Sequence, residues 1–210
     1  MPKRPPWPTA TLASPLLFVA LQGCASPMTS TNAVYPPPGH FPPGLNRLMD
    51  GPLRFWQHSL GIYCFRTWGC RISYGGEIVE EHDFGQWQPP AEEVSPDVRE
   101  RMRGHRGQYR NFRGPLVVTW RDSNRTSRHL EIDLARVFAD GLIRHSVPEE
   151  DIAPGYSIGD PAIIVEVDDT VVRLHMRTLL PLKQRRDPNN PASASVESLV
   201  QVFEQAGDTP

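Results

Sequence analysis

The sequence predicts a single α+β domain built mainly from antiparallel β-hairpins with short helices. The first observation is the alternation of apolar and polar residues over 116–120 and 171–177, which is typical of strands with one buried face. The second is the short turn sequence between apolar segments, as at Gly75-Gly76, where both residues can adopt a positive φ. We therefore expect one β-rich globular domain over residues 53–210.

The N-terminal segment has the features of a secretory signal. Lys3 and Arg4 precede an apolar run over residues 12–21, which is too short to cross a bilayer as a helix. The run ends in Leu-Gln-Gly-Cys, which resembles the bacterial lipobox and implies cleavage before Cys24 and lipid attachment to its thiol. Residues 1–23 are therefore predicted to be a lipoprotein signal peptide, with an ordinary signal peptide as the alternative.

The residues around the lipobox cysteine predict where the mature protein resides. Ala25 stands where an aspartate would retain a lipoprotein at the inner membrane, so we expect an outer-membrane lipoprotein that faces the periplasm. Gln22 is larger than the small residues usual at its lipobox position. Residues 24–52 are rich in proline and lack apolar periodicity, which is typical of an extended tether.

The charge of the mature chain argues against a polyanionic partner. Removing residues 1–23 removes two basic residues and no acidic one, so 20 basic and 24 acidic side chains remain and the formal net charge is −4. So mild a balance gives no reason to expect nucleic acid as a partner. The 187 residues that remain are enough for one domain with a single core.

The first expected elements of the domain surround two cysteines. Residues 53–63 are dense in aromatic and aliphatic side chains and are expected to enter the core. If Cys24 carries lipid, Cys64 and Cys70 remain as a pair in an oxidising compartment, where a disulfide is favoured over a free nucleophilic thiolate. Such a bridge would rigidify a turn that presents Trp68.

The middle of the chain is predicted to contain a loop and a basic helix. Residues 80–90 are polar and end in two prolines, so a loop is expected. Ser95, followed by proline and aspartate, predicts the start of a short helix that ends near Gly104. Six arginines occur between Arg99 and Arg113, with aromatic residues among them.

The second half of the chain has the clearest strand pattern. Apolar residues alternate with polar ones in most of it, and turn sequences separate the segments. The last segment fits a terminal helix or an edge strand equally well. The expected elements are strands at 116–120 and 130–134, one helical turn at 134–138, a strand at 142–147, a hairpin of 162–167 with 171–180, and the terminal segment 196–203.

The sequence contains no common catalytic or metal-binding motif. Gly-x-Ser-x-Gly, His-Glu-x-x-His, Cys-x-x-Cys and a phosphate-binding glycine loop are all absent. His129, Glu131 and Asp133 share one face of an expected strand, but the first and last would lie about 13 Å apart and cannot ligate one ion together. We therefore expect a solvated strand face and predict no cofactor, no metal site, no catalytic residue and no enzymatic activity.

Three segments are the candidates for contact with a protein partner. They offer an aromatic side chain, acidic side chains and arginines, which are characteristic of interface anchors and of charge complementarity. For the arginine-rich segment, a solvated surface and a lipid-headgroup or lipopolysaccharide contact are the alternatives. The candidate residues are Trp68, Glu81, Asp83, Arg103, Arg106 and Tyr109.

Three parts of residues 53–181, read together, resemble a known family. They are Phe55-Trp56 with His58-Ser-Leu-Gly61 and the two cysteines, Val118-Thr-Trp120 with Leu130-Glu-Ile-Asp133, and Pro161–Arg177. Their order resembles small proteobacterial lipoproteins encoded beside type VI secretion lipase effectors, where they act as immunity proteins. The resemblance implies a noncatalytic, lipid-anchored protein that faces the periplasm and binds and inhibits a toxic secreted phospholipase.

Two other functions remain open at the level of sequence. A structural or assembly lipoprotein of the cell envelope is the main alternative, because it would have the same outer-membrane location and the same tether. A hydrolase comes third, because no nucleophile and base can be paired from the sequence.

Overall fold

The computed structural model describes residues 52–154 and 158–209, and within them nine strands form two sheets. The expected signal peptide, Cys24 and the expected tether lie outside the described residues. The fold class predicted from the sequence is confirmed, because strands dominate and the helices are short. No helix in the described ranges is long and apolar enough to cross a membrane.

Each helix of the described residues has four residues, whereas the strands have five to twelve. The strands are β1 Gln57–Phe65, β2 Thr67–Tyr74, β3 Glu77–Gln88, β4 Arg106–Arg110, β5 Leu116–Arg121, β6 Ser127–Ile132, β7 Ala162–Asp168, β8 Val171–Pro181 and β9 Ser195–Ala206. The helices are α1 Ala91–Val94, α2 Val98–Arg101 and α3 Leu134–Val137. Two 3-10 turns lie at Glu149–Asp151 and Pro191–Ala194.

The first sheet has five strands in the order β4-β1-β7-β8-β9. The neighbours β1 and β7 run parallel, and the other neighbours are antiparallel. All seven residues of β7 are buried, because this central strand is covered on both faces. A strand covered on both faces tends to be a continuous apolar run, and β7 departs from that pattern only at Glu166 and Asp168.

The second sheet has four antiparallel strands in the order β3-β2-β5-β6. The alternation that predicted β5 and β6 is confirmed, because their apolar residues are buried and the residues between them are more exposed. The hairpin predicted at Gly75-Gly76 joins β2 to β3. The hairpin predicted between β7 and β8 is also present, with Asp168 paired to Val171 next to the turn.

One hydrophobic core joins the two sheets. Apolar side chains of β1, β7 and β8 belong to the same buried cluster as those of β2, β5 and β6, so the sheets pack face to face. Trp120 of β5 is buried in this core, and its Nε1 donates a hydrogen bond to the backbone oxygen of Asp169, 2.6 Å away. Gly207 lies against the same ring, where a Cβ would come within 2.2 Å of a ring carbon.

The predicted disulfide between Cys64 and Cys70 is present, and it links the two sheets. Cys64 lies in β1 of the five-stranded sheet and Cys70 in β2 of the four-stranded sheet. Only Arg66 separates these strands, and it turns the chain from one sheet into the other with a φ of +50°. The bridge therefore closes the corner between the sheets, in addition to holding the turn next to Trp68.

Two of the sequence predictions are wrong. Residues 80–90 were predicted as a loop, but residues 80–88 form most of β3. This edge strand has no fully buried residue, and so no apolar alternation reveals it. Residues 142–147, predicted as a strand, make only one isolated bridge, between Leu142 and Arg54. The apolar side chains of Ile143 and Val147 instead fill the core from irregular backbone.

The C-terminal segment forms a strand, and the arginine-rich segment forms a short helix followed by a strand. The terminal segment is the edge strand β9, antiparallel to β8, so the strand alternative is confirmed over the helix. The predicted basic helix is present as α2, but it is shorter than expected and its N-cap residue is Asp97. Beyond it, residues 106–110 form β4, which pairs with β1 at the edge of the five-stranded sheet.

Reduction of the disulfide is expected to lower the free energy of unfolding by about 2 kcal/mol, because a closed loop of this length removes about that much chain entropy from the unfolded state. Urea unfolding of the oxidised and the phosphine-reduced chain measures the difference. The double variant Cys64→Ala, Cys70→Ala should lose at least as much, since it also leaves a cavity. An unchanged urea midpoint after reduction would contradict this assignment.

Candidate functional site

Aromatic and arginine side chains gather at one end of the four-stranded sheet, where β2 and β6 begin and β3 and β5 end. We call this group the aromatic–arginine surface. Its residues are Trp68, Phe84, Trp87, Arg121 and Arg125. Trp68 and Trp87 are direct cross-strand partners with ring centroids 5.4 Å apart. The Cζ atom of Arg125 lies 4.0 Å from the Trp68 ring centroid, and that of Arg121 lies 5.9 Å from the Phe84 centroid.

The turn that carries Arg125 is held by the buried carboxylate of Asp122. Its Oδ1 accepts hydrogen bonds from the backbone nitrogens of Asn124 and Thr126, at 3.0 and 2.9 Å. Its Oδ2 accepts one from Nε of Arg128 at 3.0 Å. Burial alone would raise the pKa of Asp122, but these hydrogen bonds outweigh it and the pKa lies below its usual value. The carboxylate is therefore ionised at neutral pH, and the turn is ordered by charge-assisted hydrogen bonds.

The acidic candidates lie on β3, on the same sheet as Trp68. Glu81 accepts a hydrogen bond of 2.8 Å from Nε of Arg71, its cross-strand partner on β2. Asp83 accepts one of 2.7 Å from the backbone nitrogen of Gly85. Both acidic residues are exposed, so they flank the aromatic–arginine surface and add negative charge beside it.

The arginine candidates belong to a different part of the domain. Arg103 pairs with Glu197 of β9 at 2.8 Å, and Arg106 of β4 pairs with Glu80 of β3. Both lie at or near edges of the five-stranded sheet rather than beside Trp68. The structure therefore divides the predicted interface residues between two sites instead of bringing them together.

Tyr109, the remaining candidate, packs at the margin of the core. Its ring lies 5.3 Å from that of Tyr74 and 5.9 Å from that of His58. The Cζ atom of Arg113 lies 5.6 Å from the centroid of the Tyr109 ring. Tyr109 is half-buried, so most of its contacts serve packing between β4 and the core.

His58 is a buried histidine among aromatic rings, and no local sequence pattern marks it as a titrating group. Its Nδ1 lies 2.6 Å from Oδ1 of Asn111, and its ring contacts those of Phe55 and Phe112. Burial lowers the pKa of His58 to about 4, and the hydrogen bond with Asn111 only partly offsets this. The imidazole is therefore neutral at physiological pH.

A second polar site lies on the face of the five-stranded sheet turned away from the main core. We call it the carboxylate–arginine cluster, and its members border an open cleft of about 400 Å³. Its residues are Arg66, Arg99, Glu166, Asp168, Arg173 and His175. β7 supplies the two carboxylates, β8 supplies Arg173 and His175, and α2 supplies Arg99.

The two buried carboxylates of this cluster are fully paired. Glu166 accepts a hydrogen bond from Nε of Arg99 and lies 2.7 Å from Nε2 of His175. Asp168 accepts hydrogen bonds from Nε of Arg66 at 2.6 Å and from Nη2 of Arg99 at 3.0 Å. Burial would raise the pKa of Glu166, but the hydrogen bonds from His175 and Arg99 outweigh it and lower that pKa.

Arg99 links the carboxylates of β7 to the short helices α1 and α2. It also pairs with Glu92 of α1, and its guanidinium lies over the ring of Phe65. Beside it, Ala91 and Met102 pack with Ile164 in a second, smaller apolar cluster. The arrangement holds the α1–α2 segment against β7, and the lining of the cleft includes no serine, threonine or cysteine among the described residues.

The triad considered as a possible metal site behaves as a solvated strand face. His129 and Glu131 are exposed on β6, between buried apolar residues. Asp133 caps α3, accepting hydrogen bonds from the backbone nitrogens of Ala135 and Arg136. These three side chains do not form a site.

The fold and its surfaces define only a general class of protein. It is a two-sheet β domain with an inter-sheet disulfide and a surface of half-buried aromatic and exposed arginine side chains. The chain matches no protein-family model, no curated protein and no solved structure. The resemblance to immunity lipoproteins therefore stays a prediction.

Glu166→Gln is expected to lower the free energy of unfolding by about 1–3 kcal/mol, because it removes a buried carboxylate that accepts a charge-assisted hydrogen bond from the partly exposed guanidinium of Arg99. Urea unfolding monitored by tryptophan fluorescence measures the loss. Glu92→Gln is the matched control: it removes an exposed carboxylate that also pairs with Arg99, and it should unfold close to wild type. Equal effects of the two substitutions would contradict the role given to the cluster.

His58 is expected to make the domain less stable as the pH falls from about 6.5 to about 4. The folded chain holds this proton more weakly than the unfolded chain, so protonation favours unfolding. The contribution of the neutral ring is complete above pH 6.5, and about 3 kcal/mol is lost by pH 4. Urea midpoints of wild type and His58→Phe, compared between pH 7.5 and 4.5, isolate this part of the pH dependence. Titration of the His58 ring near pH 6.5 by NMR would contradict it.

Proposed function

We propose that this chain is a lipid-anchored, periplasm-facing binding protein that inhibits a toxic secreted phospholipase. The observation that carries the proposal is the aromatic–arginine surface, since tryptophan and arginine are enriched among residues that dominate binding energy at protein interfaces. The lipoprotein features of residues 1–24 and the resemblance to lipase-effector immunity lipoproteins supply the compartment and the class of partner.

The aromatic–arginine surface is suited to binding because its side chains are held before a partner arrives. Trp68 is stacked with Arg125 and packed against Trp87, on strands that pair along most of their length. Asp122 fixes the turn on which Arg125 lies. Ordering of side chains costs affinity, so a surface already ordered in the free protein loses less on binding.

The expected tether is consistent with interception of an enzyme at a membrane. Residues 24–52 are a segment of 29 residues, which as an extended proline-rich chain would reach up to about 90 Å. A lipid anchor with this reach keeps the domain close to the membrane surface. A phospholipase acts at the same surface, so the tether would raise the local concentration of its inhibitor.

One observation favours the alternative, an assembly role in the cell envelope. β9 is a twelve-residue strand at the edge of the five-stranded sheet, and it contains no proline, lysine or arginine. Edges without such residues can accept a strand from another protein. A hydrolase remains third, since the cleft of the carboxylate–arginine cluster has no serine, threonine or cysteine among the described residues and its carboxylates are held in ion pairs with arginines.

Capture with the mature chain from residue 25, disulfide intact, separates these functions. Membrane and secreted extracts of the source bacterium are passed over the immobilised chain, and retained proteins are identified by mass spectrometry. Recovery of one lipase-like protein at equal stoichiometry, with its phospholipase activity suppressed, supports the inhibitor. Recovery of envelope-assembly components alone would overturn it and favour the alternative.

Trp68→Ala and Arg125→Ala are each expected to weaken binding of the inhibited phospholipase by at least about 2 kcal/mol, or roughly thirtyfold in Kd, because each removes half of the stacked pair. Leu179→Ala and Arg185→Ala are the controls, since both residues are exposed away from this surface, on β8 and in the loop after it. Inhibition constants measured with purified enzyme provide the comparison. Variants at Trp68 and Arg125 that inhibit as tightly as the controls would rule out this surface as the binding site.

A further inference from the structure

A histidine lies beside the disulfide. Sγ of Cys64, Sγ of Cys70 and one ring nitrogen of His82 all lie within 4.8 Å of one another. Both cysteines are buried, whereas the side chain of His82 keeps 29% of its exposure. The three ligand-type atoms therefore form a compact group that opens to solvent on the His82 side.

The strand register explains why these side chains meet. Cys70 of β2 is the cross-strand partner of His82 of β3, so both side chains point to the same face of the sheet. Cys64 reaches this face from β1 through the disulfide. The positions depend on paired strands of both sheets, which makes the group a product of the fold and not of sequence proximity.

Glu80 lies next to His82 and is itself held in place. Its Oε1 is 3.5 Å from Nε2 of His82, and its Oε2 accepts a hydrogen bond of 2.5 Å from Nη2 of Arg106. A carboxylate beside an imidazole is the usual outer partner that orients a metal-binding histidine.

Two thiolates and one imidazole are a ligand set for a thiophilic cation such as Zn²⁺. In the disulfide the two sulfurs are bonded to each other, and neither is a thiolate. The Cα atoms of the cysteines are already 6.8 Å apart, at the wide end of the range for a disulfide. The sulfurs can therefore separate to positions around one ion with little movement of β1 or β2.

We propose that the Cys64–Cys70 disulfide closes a redox-gated site for a thiophilic divalent cation, with His82 as the third ligand. A dithiol reductant passes two electrons and two protons to the disulfide, which becomes two thiols while the reductant becomes a disulfide. Binding of Zn²⁺ then releases the two thiol protons and forms two metal–sulfur bonds. A water molecule completes the four-coordinate shell on the exposed side. The proposal is independent of the proposed binding function.

The test compares the oxidised full chain with the chain reduced by a phosphine without oxygen. Cobalt(II) is the optical probe, because thiolate ligation produces ligand-to-metal charge-transfer absorption, and Zn²⁺ affinity follows from competition with a chromophoric chelator. The reduced chain is expected to bind one equivalent with the thiolate absorption, and the oxidised chain none. Equal binding by the two forms would overturn the site.

The histidine ligand is tested by His82→Ala, with His129→Ala as the matched control because His129 is an exposed histidine on β6 of the same sheet. Loss of His82 should weaken Zn²⁺ binding by at least about tenfold. Removing a residue that only hydrogen-bonds to a metal ligand already costs about that much affinity, and a direct ligand should cost no less. His129→Ala should bind like wild type. Equal affinities for the His82 variant and wild type would show that the cysteines alone hold the ion, and the proposal would fail.

Reduction could unfold the domain, and circular dichroism of the reduced chain with and without Zn²⁺ tests the site in that case. Metal binding that depends on the folded arrangement must then restore the β-sheet spectrum when Zn²⁺ is added, because binding energy is coupled to folding. Recovery in wild type and not in His82→Ala supports the site. A reduced chain that stays unfolded with Zn²⁺ would overturn it.

Discussion

The corner between β1 and β2 is the constraint on which the two-sheet arrangement depends. A single residue, Arg66, separates a strand of one sheet from a strand of the other, and the disulfide between Cys64 and Cys70 closes this corner from inside the core. Both strands are interior members of their sheets. Their position therefore sets how the inner faces meet, including the contact of Trp120 with the turn after β7.

Polar groups inside the domain are tolerated where the fold pairs them. Glu166 and Asp168 interrupt an otherwise apolar central strand, and Arg99 joins both carboxylates to the α1–α2 segment. His58 has no charged partner. Its surroundings are aromatic, and burial keeps its imidazole neutral. The two carboxylates therefore hold the α1–α2 segment against the sheet, whereas His58 makes part of the core sensitive to acid.

The chemistry available to a partner is separate from these internal groups. Trp68 and Arg125 are stacked at one end of the four-stranded sheet, while Arg103 and Arg106 are paired with acidic residues elsewhere. A cationic segment that looks continuous in sequence is thus divided. Arg99 turns inward to the carboxylates, and Arg101 pairs with Asp97 at the start of α2. Arg103, Arg106 and Arg113 pair with acidic residues of β9 and β3. The aromatic–arginine surface remains as the site where a half-buried tryptophan, Trp68, lies in contact with an exposed arginine, Arg125.

The sequence by itself determined the strands β5 to β8, together with the Gly75-Gly76 hairpin and the pairing of Cys64 with Cys70. Burial alternates along β5, β6 and most of β8, whereas β7 is a nearly continuous apolar run. Those features depend on local periodicity, turn chemistry and a count of cysteines, all of which a single chain displays. Only the tertiary structure decided that polar β3 is an edge strand and that β1 runs parallel to β7. It also brought Trp68 together with Arg125, Glu166 together with Arg99, and His82 to the disulfide. Each of these depends on partners distant in sequence or on the opposite strand, so no local pattern records it.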